Sequence, residues 1–224
     1  MNKKDLAKYI DHTLLKATAT EEDILNLCGE AKKYQFFSVC INPCWVALAK
    51  TALEGTNIKV CTVIGFPLGA NHTSLKQFET ETAIIQGADE IDMVINVGYA
   101  KKHQWDLVEK DIASVVSIAK ETDSNKKIIV KVILETCYLT DEEIENVCLC
   151  AKNAGADFVK TSTGFGNAHP NGATAEQVTL MKKVVGKDLC VKASGGIRDT
   201  ETALAMIKAG ATRLGTSASV AIVT

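Results

Sequence analysis

Five strand-like triplets in this chain carry a polar or thiol residue at their centre, between flanks that are apolar except for Thr161: Val39-Cys40-Ile41, Ile91-Asp92-Met93, Val130-Lys131-Val132, Val159-Lys160-Thr161 and Val191-Lys192-Ala193. Apolar neighbours on both sides mark a strand, and the central side chain of a strand triplet points away from the two that flank it. If the flanks pack against helices, Cys40, Asp92, Lys131, Lys160 and Lys192 face one shared interior, with Glu135 on the parity of Lys131 beyond Ile133. One such lysine reads as half of a structural ion pair, or as a strand end whose head reaches solvent. Three on separate strands each lose hydration and must find a partner or shed a proton, which points to a functional site. Repulsion and desolvation both disfavour the ammonium form, so one of several crowded amines can be free near neutral pH. A free amine in a dry pocket attacks a carbonyl carbon, giving a carbinolamine and then an iminium ion. The iminium draws electrons and acidifies the adjacent C–H bond, and a carboxylate such as Asp92 could move that proton directly or through water. This is the chemistry of a Schiff-base aldolase.

Such residues need a scaffold that aims many strands at one point. Short β-rich runs recur near residues 9–14, 37–42, 59–64, 89–95, 128–134, 157–161, 189–194 and 212–217, each followed by a longer segment of helical periodicity. Capping residues precede acidic first turns in Thr20-Glu21-Glu22-Asp23, Thr140-Asp141-Glu142-Glu143 and Asp199-Thr200-Glu201. Gly87-Ala88-Asp89, Gly155-Ala156-Asp157 and Gly210-Ala211-Thr212 repeat one helix-stop punctuation ahead of a strand. Strands alternating with helices imply a parallel sheet, and eight such units point to an α/β fold, a single-domain (β/α)8 TIM barrel over residues 1–224. An open doubly wound sheet is the fallback, but no Gly-x-Gly-x-x-Gly follows the first strand, so a dinucleotide site is not supported.

Three glycine-rich turns sit where this barrel would bind an anion. Ser194-Gly195-Gly196-Ile197-Arg198 follows the seventh strand, Gly215-Thr216-Ser217-Ala218-Ser219 the eighth, and Thr161-Ser162-Thr163-Gly164-Phe165-Gly166 follows Lys160 directly. Small residues let backbone N–H groups approach phosphate, and loops after strands seven and eight often hold it in this architecture. Any one could be only a tight turn; three at one barrel end favour a phosphorylated substrate.

Composition removes other classes. Hydrophobic residues make up 46% of the 224 and charged residues 23%, which excludes a disordered chain. Lys plus Arg number 25 and Asp plus Glu 27, and the net charge of −2 gives no pull toward nucleic acid or a membrane surface. No apolar run approaches the roughly 20 residues that span a bilayer, and no signal core follows the N-terminus. The eight cysteines lack Cys-x-x-Cys spacing, so they read as reduced cytoplasmic thiols. His12, His72, His103 and His169 are scattered and form no metal-ligand motif, so no metal is expected. No Gly-x-Ser-x-Gly elbow surrounds Ser162, Ser194 or Ser217, which argues against a hydrolase.

The segments at 159–165 and 191–198 closely resemble the signatures of the deoxyribose-phosphate aldolase family. Asp11-His12-Thr13-Leu14-Leu15, Val39-Cys40-Ile41-Asn42-Pro43, Gly65-Phe66-Pro67-Leu68-Gly69, Glu90-Ile91-Asp92-Met93-Val94 and Lys131-Val132-Ile133-Leu134-Glu135-Thr136 are similar to that family's segments in the same order, over nearly the whole chain. The resemblance implies a class I aldolase without cofactor, reversibly cleaving 2-deoxy-D-ribose 5-phosphate to acetaldehyde and D-glyceraldehyde 3-phosphate in deoxynucleoside catabolism. Carried over by position, Lys160 forms the Schiff base, Lys192 depresses its pKa, and Asp92 acts with Lys192 and a water in proton transfer. Asp11, Thr13, Cys40 and Lys131 correspond to substrate-binding positions, with structural roles open for Asp11 and Thr13 and plain packing for Cys40. Gly164, Gly195, Gly196 and Ser217 would contact phosphate. Two departures stand out: Phe165 occupies a place where some relatives carry a basic residue, and the sequence ends at Ala221-Ile222-Val223-Thr224 without the tail whose terminal Tyr assists proton transfer in some relatives. The implied partner is a small phosphorylated sugar, and a homodimer is left open. Rival readings are another phosphate-handling barrel, such as an isomerase or transaldolase-like lyase, and a catalytically silent sugar-phosphate binder.

Overall fold

Strands that bury both faces need helices outside and complementary side chains within, and these strands are buried nearly throughout. The computed structural model describes residues 1–123 and 126–224. A short helix α1 (Lys3–Ala7) precedes β1 (Ile10–Leu14), α2 (Glu21–Tyr34), β2 (Ser38–Ile41), α3 (Val46–Ala52), β3 (Lys59–Ile64), α4 (Thr73–Ile85) and β4 (Glu90–Val94). Then come α5 (Val97–Lys101), α6 (Trp105–Thr122), β5 (Ile129–Ile133), α7 (Asp141–Asn153), β6 (Phe158–Lys160), α8 (Ala175–Val185), β7 (Cys190–Ser194), α9 (Thr200–Lys208), β8 (Arg213–Thr216) and α10 (Ser219–Val223). The eight strands pair in sequence order and close, β1 joining β8 through Ile10↔Leu214 and Asp11↔Gly215. This is the (β/α)8 barrel expected from the alternation, with each observed strand lying inside its expected run.

The helix signals act as their chemistry requires. Thr20 with Asp23 and Thr140 with Glu143 form reciprocal capping boxes, and Asp199 accepts from the Thr202 N–H. Outer strand residues such as Val39, Ile91, Val130, Val159 and Val191 pack against the helical ring in one continuous apolar core. That leaves the alternate residues to fill the barrel in layers drawn from every second strand. Asp11, Cys61, Lys131 and Lys192 come from odd strands; Cys40, Asp92, Lys160 and Gly215 come from even ones. Gly215 leaves room for a lysine stem, since a Cβ there would lie 3.0 Å from Lys192 Cε. No helix among the described residues is long and apolar enough to cross a membrane, and the eight cysteines are free thiols.

Candidate active site

Charge fills the barrel interior in place of the usual aliphatic layers. Asp92 is its hub: Oδ1 accepts from Lys131 Nζ at 2.7 Å, and Oδ2 accepts from Lys160 at 2.7 Å and Lys192 at 2.8 Å. Lys192 also donates to Asp11 Oδ2. Asp11 Oδ1 accepts from Ser38 Oγ at 2.6 Å and Arg213 NH1 at 2.8 Å. Glu90 completes the lower layer, 2.6 Å from Lys131 and 2.9 Å from Arg213, while the Arg213 guanidinium stacks 3.5 Å from the centre of the Phe37 ring. Four cationic heads (Lys131, Lys160, Lys192, Arg213) thus meet three carboxylates (Asp11, Glu90, Asp92).

Opposite charges offset the cost of burial in this network. Burial pushes the Asp92 carboxyl up, but Lys131, Lys160 and Lys192 outweigh it and hold the group well below the usual carboxylate range. Asp11 is likewise lowered, burial being overcome by Lys192 and Arg213. Burial alone would discharge Lys192 and Lys131, yet Asp11 and Asp92 hold Lys192, and Asp92 with Cys61 and Glu90 hold Lys131, above the ordinary lysine value. Crowding therefore does not neutralise these two amines, contrary to what repulsion among lysines alone suggests, because carboxylates stand between them.

Above this network, at the C-terminal ends of the strands, lies a cavity of about 260 Å³. Lys160 lies on its floor; Thr13, Gly164, Gly195, Gly196 and Ser217 line its walls. Lys192, Asp92, Asp11, Lys131 and Cys40 are buried beneath and do not line it. The structure thus brings Lys160, Lys192 and Asp92 together directly, gathers the glycine turns around one opening, and places Asp11 and Lys131 as partners of charged groups below the floor. Thr13 Oγ1 donates to the Asp11 carbonyl at 2.8 Å. Cys40 sits with Leu15, Cys61, Val63 and Phe66 in a small apolar cluster, its thiol lowered chiefly by a hydrogen bond with Cys61. Glu135 leaves the strand parity by entering the left-handed region, φ 56 and ψ 62. Its carboxylate accepts from the Thr163 hydroxyl and N–H, bracing the turn after Lys160.

The glycine turns touch each other. Gly195 has φ +83, and a Cβ on it would lie 2.8 Å from Gly172 Cα, so a side chain would force the loops apart. Thr161 Oγ1 and the Ser194 N–H, 3.0 Å apart, tie the turns after β6 and β7 together. Ser162 Oγ, in the first of these turns, is buried without a hydrogen-bond partner among the described residues. Phe165 lines the cavity as an apolar wall, edge-on to Phe66 at 5.3 Å. Lys16 and Arg198 bring positive charge to the opening from other loops.

Sequence parity already held part of what the motif reading passed over. Glu90 lies two residues before Asp92, and Arg213 two before Gly215, so both face inward by the rule that found the lysines. Two donor groups place three ligand-capable atoms within 4.8 Å of one another, Cys40–Cys61–Asp92 and Asp11–Cys61–Glu90. Their carboxylate oxygens are engaged by lysine and arginine heads, and Cys61 Sγ lies 3.3 Å from Lys131 Nζ. Ammonium groups already occupy the place a metal ion would need.

Fold and site together define the class: a barrel enzyme with a lysine-floored, glycine-walled cavity at the C-terminal end of its strands. A model of the DeoC/LacD family aldolases matches residues 6–220, and this chain belongs to that family. It is 59% identical over 219 residues to the deoxyribose-phosphate aldolase of Geobacillus sp., covering 98% of this chain and 95% of that protein. With the deoxyribose-phosphate aldolase of Mannheimia succiniciproducens it shares 56% identity over 223 residues, covering 100% and 96%. The tetrameric deoxyribose phosphate aldolase of Aeropyrum pernix superimposes with a TM-score of 0.90 at 34% identity, covering 99% of this chain and 91% of that one.

Proposed function

We propose that this chain catalyses reversible aldol cleavage of 2-deoxy-D-ribose 5-phosphate to acetaldehyde and D-glyceraldehyde 3-phosphate through a Schiff base on Lys160. The observation that carries this reading is positional: of the three lysines gathered around Asp92, Lys160 is the one that lines the cavity. Its neutral amine attacks the aldehyde carbon of the open-chain sugar, and loss of water leaves the iminium. As the 3-hydroxyl loses its proton, the C2–C3 bond breaks, glyceraldehyde 3-phosphate departs, and the electron pair stays on the enamine. Protonation of the enamine carbon and hydrolysis then release acetaldehyde and restore the amine.

Asp92 remains a carboxylate throughout the neutral range, so it serves as proton acceptor, with Lys192 and a water completing the transfer. Lys192, held cationic by Asp11 and Asp92, shares the Asp92 Oδ2 atom with Lys160 and so places a fixed positive charge beside the reacting amine. Asp11 then acts by keeping Lys192 in place, and Lys131 by fixing the other oxygen of Asp92. Thr13 remains as a wall residue within reach of substrate hydroxyls. Gly164, Gly195, Gly196 and Ser217 offer the phosphate backbone contacts, and Lys16 and Arg198 supply charge in the absence of a basic residue at 165.

The test supplies 2-deoxy-D-ribose 5-phosphate and follows acetaldehyde by its reduction with NADH and alcohol dehydrogenase. Stoichiometric acetaldehyde and glyceraldehyde 3-phosphate support the reading; isomerised sugar phosphate without acetaldehyde sinks it. Lys192→Ala should lower kcat by roughly 10²-fold or more and move the pH–rate profile. A change confined to KM would leave Lys192 a purely binding role.

A further inference from the structure

Outside the barrel interior, Glu30, His12 and Ser219 form a hydrogen-bonded relay that the proposed chemistry does not use. His12 lies on β1, buried beneath α2, its ring 4.9 Å from that of Phe36. Nε2 is 2.7 Å from Glu30 Oε2, and Nδ1 is 2.8 Å from Ser219 Oγ. A carboxylate only accepts, so Nε2 carries a hydrogen. Burial holds the imidazole below its ordinary value despite Glu30, so at neutral pH Nδ1 is bare and accepts from the Ser219 hydroxyl.

Ser, His and Glu in this order have the spacing of a hydrolytic triad, yet they cannot act as one. Ser219 is fully buried, and its single hydroxyl proton is shared with the Thr216 carbonyl at 3.0 Å, so no substrate carbonyl can reach it. The relay's end matters more. Thr216 closes β8 and, with Ser217, lines the cavity. Ala218 N–H donates to Thr216 Oγ1 at 2.9 Å, and that hydroxyl donates to the Ile197 carbonyl at 2.7 Å. Ile197 also lines the cavity, next to Gly195 and Gly196. A chain of hydrogen bonds therefore runs from α2 through β1 to both turns at the glycine-walled end.

We propose that His12 is a positioning residue for the phosphate subsite: through Ser219 it fixes the turn at 216–219 and, through Thr216, the facing turn at 195–197. The inference rests on reading the glycine-walled end as the phosphate subsite. Backbone N–H groups bind an anion only when aimed at it, and they have no side-chain freedom with which to correct a displaced turn.

The experiment compares wild type, His12→Ala, His12→Asn and Ser219→Ala on 2-deoxy-D-ribose 5-phosphate and on unphosphorylated 2-deoxy-D-ribose. His12→Ala and Ser219→Ala should each raise KM for the phosphorylated sugar about tenfold, with kcat/KM for the unphosphorylated sugar held within about twofold. His12→Asn, whose side-chain oxygen can accept from Ser219 without reaching Glu30, should recover most of the loss. Equal losses on both sugars would show a merely structural role and overturn the proposal, as would unchanged kinetics. If His12→Ala does not fold, His12→Asn and Ser219→Ala still decide between these outcomes. A wild type that cleaves both sugars equally well would instead overturn the phosphate subsite itself, which the wild-type measurements show on their own.

Discussion

Incubated with acetaldehyde and then reduced with borohydride, the protein should gain one ethyl group on Lys160, and Lys160→Met should abolish that adduct while lowering kcat by a factor on the order of 10⁴ or more. Removing the amine leaves C2–C3 cleavage with no iminium to take up the electron pair, so the loss is not partial. The variant should nevertheless fold. Lys160 is the fourth cation over three carboxylates, and Met in its place leaves Lys131, Lys192 and Arg213 matched with Asp11, Glu90 and Asp92. Asp92 keeps Lys131 and Lys192 as donors, and a thioether of similar length fills the space. A thermal midpoint close to wild type beside a dead enzyme separates chemistry from folding. Peptide mass spectrometry locates the ethyl group. Labelling spread over surface lysines, or an adduct that survives Lys160→Met, would remove Lys160 from the proposed role and favour a non-covalent barrel.

The lysine cluster was legible because strand alternation is a one-bit code: an apolar residue on each side forces the polar one inward. The same code explains the barrel, since eight buried strands separated by capped helices leave few alternatives to a closed parallel sheet. What the code could not supply is height. Lys131, Lys160 and Lys192 look alike in sequence, and their depths differ because the strands tilt and stagger as the barrel closes, bringing Lys160 to the cavity and leaving the other two beneath it. Which amines stay charged lies beyond the code for a related reason. Crowded lysines suggest discharge, but Asp11 on the first strand and Glu90 two residues ahead of Asp92 reach the same heads, and only the closed register shows it. Glu135 shows where alternation ends: it continues the parity of Lys131 in sequence, yet the chain turns left-handed there and sends its carboxylate to Thr163. His12 is the opposite case, a residue bland in sequence whose partners, Glu30 and Ser219, come from helices 18 and 207 residues away.

Asp92→Asn should cost both stability and turnover, and the two losses should respond differently to pH. Asn keeps the shape but not the charge. Lys131 retains Glu90 and Lys192 retains Asp11, whereas Lys160 loses the carboxylate that holds it. One side of the new amide also points N–H groups at ammonium heads, which can only donate. Breaking a buried ion network by removing one partner costs about 3–5 kcal/mol, a fall in thermal midpoint of roughly 10 °C for a domain of this size. The sign with pH follows from the depressed carboxyl of Asp92. A group whose folded value lies below its unfolded value of about 4 contributes stability that is present above that pH and lost as pH falls toward the folded value. Wild type should therefore lose stability on acidification below about pH 4, and the gap between wild type and Asp92→Asn should narrow over that interval. Denaturant titrations at pH 7 and at pH 3 measure it; a constant gap would mean that Asp92 packs without bearing charge in the folded state. Turnover tests the proton. With the acceptor removed, exchange of the acetaldehyde methyl hydrogens into deuterated water should slow by about 10³-fold, while borohydride still traps the ethyl group on Lys160. Exchange at the wild-type rate would assign the proton to another group, and loss of the adduct itself would place Asp92 at iminium formation instead of at the carbon acid step.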